Sequence, residues 1–384
     1  MDNLDKDSQN QNNSNYQLLY SKISDKTIIN NCFDNPKKIQ IYYHFYVLRI
    51  ISSFAVVLIH ISIEYYYKRK CYSYDYKISC FYNGISRFAV PIFYMISGAL
   101  FLNRDISYKT MYNKYIKRLL LHLIIWSFIY SISNLQLSKI NIKNIFLKFI
   151  ETHYHLWFLL SIIGLYILVP FLREITKKDD LLKMFMILSF IFTFLFRNFI
   201  IFLSYYSKPY SVRLNKIYRH IDLNYISGNV YYFMLGNYIN NIIDITFFIE
   251  YLIYIFGLFG LYFTIALPNY NTFKKHKILF FHPKDLNIAA YSISIFVFIK
   301  NHFNNNKNYG KKLNLIKMIS KYSFGIYLVH PLIIEKMKKM IIYRFLLSIK
   351  ILFRIPLTAI IIYLSSLLFS MTINYIPLIG KYII

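Results

Sequence analysis

Apolar residues in this chain fall in long runs separated by short polar stretches. They show neither the strict alternation of strands nor the narrow stripes of soluble helices. The runs cover about 42–64, 86–102, 119–134, 155–172, 182–204, 225–241, 245–267, 286–299, 322–334 and 355–378. At about 1.5 Å per residue, some twenty residues cross a hydrocarbon core of roughly 30 Å. The pattern predicts an all-α integral membrane protein, a single bundle of about ten transmembrane helices. Residues 1–40 are rich in Asn, Gln, Asp and Ser without apolar periodicity, which predicts a disordered polar tail ahead of a membrane domain over 41–384. The loops are too short for a soluble domain of ordinary size. Any chemistry must come from the bundle and its rims.

Composition agrees with the pattern. Hydrophobic residues make up 57% of the chain, above the roughly 45–50% of soluble domains. The formal net charge is +28, but the basic residues lie between the apolar runs, where they meet anionic headgroups rather than nucleic acid. Lys and Arg are divided almost evenly between alternate loops, so charge does not fix the orientation. An even number of spans would put both ends on one side. Cys32 lies in the tail; Cys71 and Cys80 lie in the loop after the first helix and can bridge only if that loop faces an oxidising compartment. There is no metal-ligand spacing, no cleavable signal peptide before the first run and no internal repeat.

Two residues in the first run do not belong in lipid, Arg49 and His60. Eleven steps of ~100° return to within about 20° of the start, so both project from one helix face, about three turns apart. Ionisable residues inside a span normally face a protein interior or a watery cavity. A neutral imidazole at position 60 can act as a general base, or can equally be a histidine satisfied within the bundle. Arg49 presents a planar fork suited to a phosphate, a carboxylate or a developing oxyanion; so near the helix start it also reads as a snorkelling residue. Glu64, one turn after His60, either orients the imidazole or is a solvated helix end.

Further polar residues recur near run ends. Arg87 precedes FAVPIFYMISG, which holds Ser97; Lys114, Lys117 and Arg118 precede the third run; His155 and Trp157 open the fourth; Tyr327 and His330 lie in YSFGIYLVHP. Taken singly, each reads as an interfacial aromatic or a headgroup-binding base.

Together these strings resemble acyltransferase family 3, polytopic membrane enzymes that O-acylate glycans and other surface molecules. Arg49 and His60 in LRIISSFAVVLIH match the family's Arg-x10-His pattern. RFAVPIFYMISGALFL resembles the second-span signature through Val90, Pro91, Phe93, Ser97 and Gly98. KYIKRLL, HLWFLLSIIGLYILVPFLR, YYFMLGNYI, YSFGIYLVHPLI and NYIPLIGKYI resemble later segments in family order. Residues 205–224 and 300–321 match no family pattern, and no appended hydrolase-like domain is read in the chain. The resemblance implies a plasma (inner) membrane, multi-pass enzyme with both ends cytoplasmic. Its co-substrate would be acyl-CoA, most simply acetyl-CoA, with no permanently bound cofactor or metal. Its partners would be the bilayer and a cell-envelope glycan or lipid-linked sugar. His60 would deprotonate the attacking hydroxyl or briefly carry the acyl group. Arg49 would hold the donor or the developing charge. Lys114, Lys117 and Arg118 would meet the donor phosphates. Arg87, Ser97, His155, Trp157, Tyr327 and His330 would line the cavity.

Polar residues within spans and a basic rim also suit a transporter or flippase of lipid-linked sugars. Such a protein would need acidic or paired groups near mid-membrane, and only Glu250, close to a helix start, comes near this. A non-catalytic partner in polysaccharide assembly is a third reading.

Overall fold

The computed structural model describes residues 36–68, 73–133, 141–221, 226–267, 281–304 and 310–376. Tail residues 1–35, with Cys32, lie outside these segments, as do Cys71 and the end of the NYIPLIGKYI string. Among the described residues every regular element is helical.

The first helix, α1 (Pro36–Lys68), starts ahead of the predicted span and includes the last residues assigned to the tail. The second span also starts earlier than its apolar run. Helix α2 (Tyr74–Ser86) leads through Arg87 and Phe88 into α3 (Ala89–Phe101). Pro91 has no N–H to offer the Arg87 carbonyl, so the helix breaks at that point. The stretch holding Cys80 is therefore helix rather than loop, with Cys80 buried against Tyr76 and Phe281.

A π turn at Met111–Ile116 leads into α4 (Lys117–Ser133). After it come α5 (Ile142–Glu151) and α6 (Trp157–Thr176). Helices α7 (Asp179–Phe190) and α8 (Phe196–Tyr206) are joined by a π turn at Ile191–Leu195. Next are α9 (Lys208–His220), α10 (Asn229–Asn237), α11 (Phe247–Ala266) and α12 (Leu286–Asn304). Helices α13 (Gly310–Lys321), α14 (Ser323–Met337), α15 (Ile341–Ser348) and α16 (Ile351–Tyr375) complete the order.

Among the described residues, seven helical stretches are long and apolar enough to cross a membrane: Tyr43–Tyr65, Tyr74–Phe101, Tyr108–Ser133, Trp157–Thr176, Asp179–Ser204, Phe247–Ala266 and Ile351–Tyr375. The other three predicted runs are also helical but shorter or more polar, as α10, α12 and α14. Helices α5, α9 and α15 carry exposed apolar residues such as Phe146, Val212 and Phe345 opposite polar faces, the pattern of helices lying in the membrane interface.

Lipid is as apolar as leucine, so apolar burial alone does not bring spans together; close backbone packing does. Where α3 crosses α10, a Cβ on Gly98 would lie 1.7 Å from the Phe233 carbonyl oxygen, and one on Gly236 2.0 Å from that of Met95. Only glycine permits either approach. Helix α1 packs against α2, α3, α12, α13, α14 and α16. It supplies Leu48, Ala55 and Ile59 to one apolar cluster and Val57, Leu58 and Ile61 to a second. The helix carrying Arg49 and His60 is thus the axis of the bundle.

Candidate active site

Eleven residues of helix separate Arg49 from His60 by about 16 Å along the axis. Each stands in its own neighbourhood.

The His60 ring is half-buried, with centroids 5.0 Å from His330 and 5.3 Å from Tyr154. His330 owes its orientation to the proline after it. Pro331 cannot donate to the Tyr327 carbonyl one turn back, and His330 Nδ1 takes over that bond at 2.8 Å, with Ile326 O at 3.1 Å. This fixes the proton on Nδ1 and leaves Nε2 buried without a hydrogen-bond partner. The Tyr130 hydroxyl enters the same break. It donates to Leu328 O at 2.8 Å and accepts from Leu332 N at 3.2 Å, bridging a helical bond that the kink has opened.

Two further histidines come from the turn before α6. Thr152 closes α5 at φ 55°, a conformation unusual for a β-branched residue, and turns the chain inward. His153 then stacks on Tyr130 at 4.1 Å, with its Nδ1 2.5 Å from His155 Nδ1, so one of the two must carry the proton. Its Nε2 lies 3.4 Å from Glu335 Oε1. His155 stands edge-on to His330 at 5.8 Å, and its carbonyl accepts the Tyr327 hydroxyl at 2.5 Å. Among the described residues no three metal-ligating side chains converge to hold an ion.

Arg87 reaches this group from the break between α2 and α3. Its Nε and one terminal nitrogen donate to Asn83 Oδ1 at 2.7 and 2.5 Å. Asn83 in turn donates to Ile59 O at 3.3 Å and Ser62 Oγ at 3.0 Å, which bracket His60 on α1. The guanidinium is thereby fixed relative to His60 and acts on it electrostatically.

At the other end, Arg49 and Arg104 both act on Tyr166, whose hydroxyl is hydrogen-bonded with Ser97. Beside them opens a cavity of about 630 Å³ lined by residues 102–108 and the end of α6; its charged residues are Arg104, Arg173 and Lys177 together with Asp105 and Glu174, the last paired with Lys177 at 2.6 Å. Arg173 is anchored on the carbonyls of Ile106 and Phe101 at 2.9 and 3.3 Å. Lys114 and Lys117 are exposed at the head of the third span and do not line this cavity; Arg118 is half-buried.

The structure therefore gathers His60, Arg87, His155, Tyr327 and His330 at one end, and Arg49 with Ser97 at the other. One expectation is corrected and one open alternative is decided. Trp157, expected in the cavity wall, is 47% exposed on the outer side of α6, where an indole meets the membrane interface. Glu64 does not orient His60, because its carboxylate is bound by Lys338. His153, Tyr130, Asn83 and Glu335 were not singled out from the sequence. The HYH spacing ahead of Leu156 and a carboxylate five residues after His330 were the available signals.

A family model described as an acyltransferase domain, that of acyltransferase family 3, matches residues 43–376, and the chain belongs to this family. No curated protein and no solved structure matches it.

Proposed function

We propose that this multi-pass membrane acyltransferase moves an acyl group, most simply acetyl, from acyl-CoA to a hydroxyl of a cell-envelope glycan or lipid-linked sugar in the plasma membrane. His60 takes the proton of the attacking hydroxyl. The hydroxyl oxygen bonds to the thioester carbonyl carbon, the carbon–sulfur bond breaks, and the departing thiolate recovers the proton from the imidazolium. The observation that carries this reading is the separation of the two ends of α1. Coenzyme A has a phosphate-rich head and a long arm ending at sulfur. It suits cations at one rim and an imidazole three turns away. The rim cavity with Arg104, Arg173 and Lys177, flanked by Arg49, would hold the head. Lys114, Lys117 and Arg118 would act more distantly, by attraction. Arg49 is too far from His60 to face the same carbonyl, so Arg87 would stabilise the oxyanion.

The test is coenzyme A release from acetyl-CoA in proteoliposomes supplied with extracted envelope glycan. Wild type should show glycan-dependent release, and His60→Ala should lose about 10²–10⁴-fold while remaining inserted. Full activity in His60→Ala would remove the base assignment. No release from well-folded wild type with several donors and glycans would remove the acyl-CoA reading.

A further inference from the structure

The turn before α12 carries HPKD, a string that the acyl-transfer reading leaves unused. It is a built turn rather than a loose loop. His282 N donates to Asp285 Oδ2 at 2.9 Å, Lys284 N to His282 Nδ1 at 3.1 Å, and the Tyr232 hydroxyl to Pro283 O at 2.5 Å. Because His282 Nδ1 accepts, the neutral ring carries its hydrogen on Nε2 and keeps a donor for another partner. Tyr291 donates to Gly84 O at 2.7 Å, tying α12 to the end of α2 where Arg87 begins.

Cations collect around this turn. Arg197, brought in by α8 just after the π turn, meets Asp285 Oδ1 at a single contact of 3.4 Å. Arg87 lies 5.1 Å over the Phe281 ring and acts on both His282 and Asp285. Lys284 lies along Gly228, whose φ of 84° and missing side chain make room for it; a Cβ there would meet Lys284 Cε at 2.7 Å and Nζ at 2.8 Å. Burial, and then the like charge of Arg197, push the Lys284 ammonium down from its ordinary value. Asp285, the carboxylate in this group, is itself pushed up to about 7 by burial. Arg197, Lys284 and Arg87 thus all act on His282, while only the two arginines among them act on the one reluctant carboxylate, Asp285. Such a concentration of like charge is costly unless an anion relieves it.

We propose that the acceptor carries an anionic group, phosphate or carboxylate, and that Arg197, Lys284 and His282 bind it next to Arg87, holding the acceptor hydroxyl at His60. This rests on the acyl-transfer reading, with His60 on the acceptor side, and adds the chemical class of the acceptor. Arg87 links the two groups, being anchored beside His60 and acting on the turn.

Binding is measured on the full chain in neutral detergent by titrating sodium pyrophosphate, oligogalacturonate and, as neutral control, maltotetraose. Coenzyme A release is followed on the same preparations. Either anion should bind, the neutral sugar should not, and His60→Ala should bind like wild type. Lys284→Gln should weaken anion binding about tenfold or more, the loss of one charged hydrogen-bond donor. Lys284→Arg, which keeps the charge and checks that the turn still folds, should retain it. Pyrophosphate alone would mark a phosphate-bearing acceptor, oligogalacturonate alone an acidic sugar. The site is overturned if neither anion binds, if maltotetraose binds as well, or if Lys284→Gln binds like wild type. It is also overturned if only phosphatidylglycerol nanodiscs bind, which would assign the cations to bilayer headgroups. Anion binding without any glycan-dependent release would instead count against the acyl-CoA reading and leave the site standing.

Discussion

His330 Nδ1 lies 2.8 Å from the Tyr327 carbonyl oxygen, the acceptor that Pro331 leaves without a backbone donor. One proline thus sets both the kink of α14 and the tautomer of an imidazole 5.0 Å from His60. His330→Asn keeps a donor near the Tyr327 carbonyl but removes the second imidazole. It should stay folded and lose tenfold or more in turnover, if proton passage between the rings contributes as general acid–base groups do. Tyr130→Phe should instead act on stability. It strips the bridge between Leu328 O and Leu332 N and leaves the Leu332 N–H without that acceptor, at a cost of about 1–3 kcal/mol. Thermal unfolding in detergent alongside coenzyme A release separates the two effects; equal losses of activity and stability in His330→Asn would make that residue purely structural.

Glu335 and Glu64 should part company. Glu335 faces His153 Nε2 at 3.4 Å, whereas Glu64 is held by Lys338. Glu335→Gln should lower turnover, because it weakens the contact that holds the His153 ring beside His155. Glu64→Gln should remain within about twofold of wild type, since this partly exposed ion pair lies outside the histidine group. Turnover unchanged in Glu335→Gln would detach this pair from the chemistry.

Glycine substitutions should grade by backbone approach. Gly98→Ala and Gly236→Ala each drive a methyl into a carbonyl on the facing helix and should abolish recovery of monodisperse protein. Gly164→Ala meets nothing within 4 Å and should be tolerated. Size-exclusion profiles of the three variants decide; a well-behaved Gly98→Ala would mean that α3 and α10 cross at a greater distance.

Arg49→Lys should raise the KM for acyl-CoA about tenfold or more, because the planar fork is lost while the charge remains. His60→Ala should act mainly on kcat. Steady-state kinetics with varied donor test the split. Wild-type donor KM and turnover in Arg49→Lys would reduce Arg49 to a structural residue.

Asp285 gives stability a pH dependence. Burial, working against Arg197, raises its folded carboxyl to about 7. The folded protein then holds the proton more tightly than the unfolded chain. The associated stability is complete below about pH 4 and is lost as pH rises through about 7. Melting temperature should therefore fall between about pH 5 and 8 in wild type and fall less in Asp285→Asn. An equal or steeper fall in the variant would contradict the buried carboxyl. If Lys284 and its neighbours bind an anion, Asp285→Asn should also bind pyrophosphate more tightly.

Much of this could be read along the chain. Run lengths gave the all-helical membrane class because hydrocarbon thickness and helical rise leave little choice. Helical periodicity placed Arg49 and His60 on one face, and family strings picked out Arg87, His155, Tyr327 and His330. Boundaries were less legible. The Tyr74–Ser86 stretch carries enough polar residues to read as a loop, and packing against α1 and α16 makes it helix. Trp157 was misplaced because spacing shows which residues share a face, not which neighbour that face meets.

The sequence by itself determined what is local: the apolar runs and their helical character, the positions of the glycines and prolines within them, and the order of the family strings. Only the tertiary structure decided which ends meet. Glu335 reaches His153, Glu64 turns to Lys338, and Arg87, Arg197 and Lys284 converge on one turn although they lie far apart in the chain. Helical geometry depends on near neighbours and is written in the order of residues. The partners of a charged group in a bundle depend on how whole helices pack, through backbone approaches that no single stretch contains.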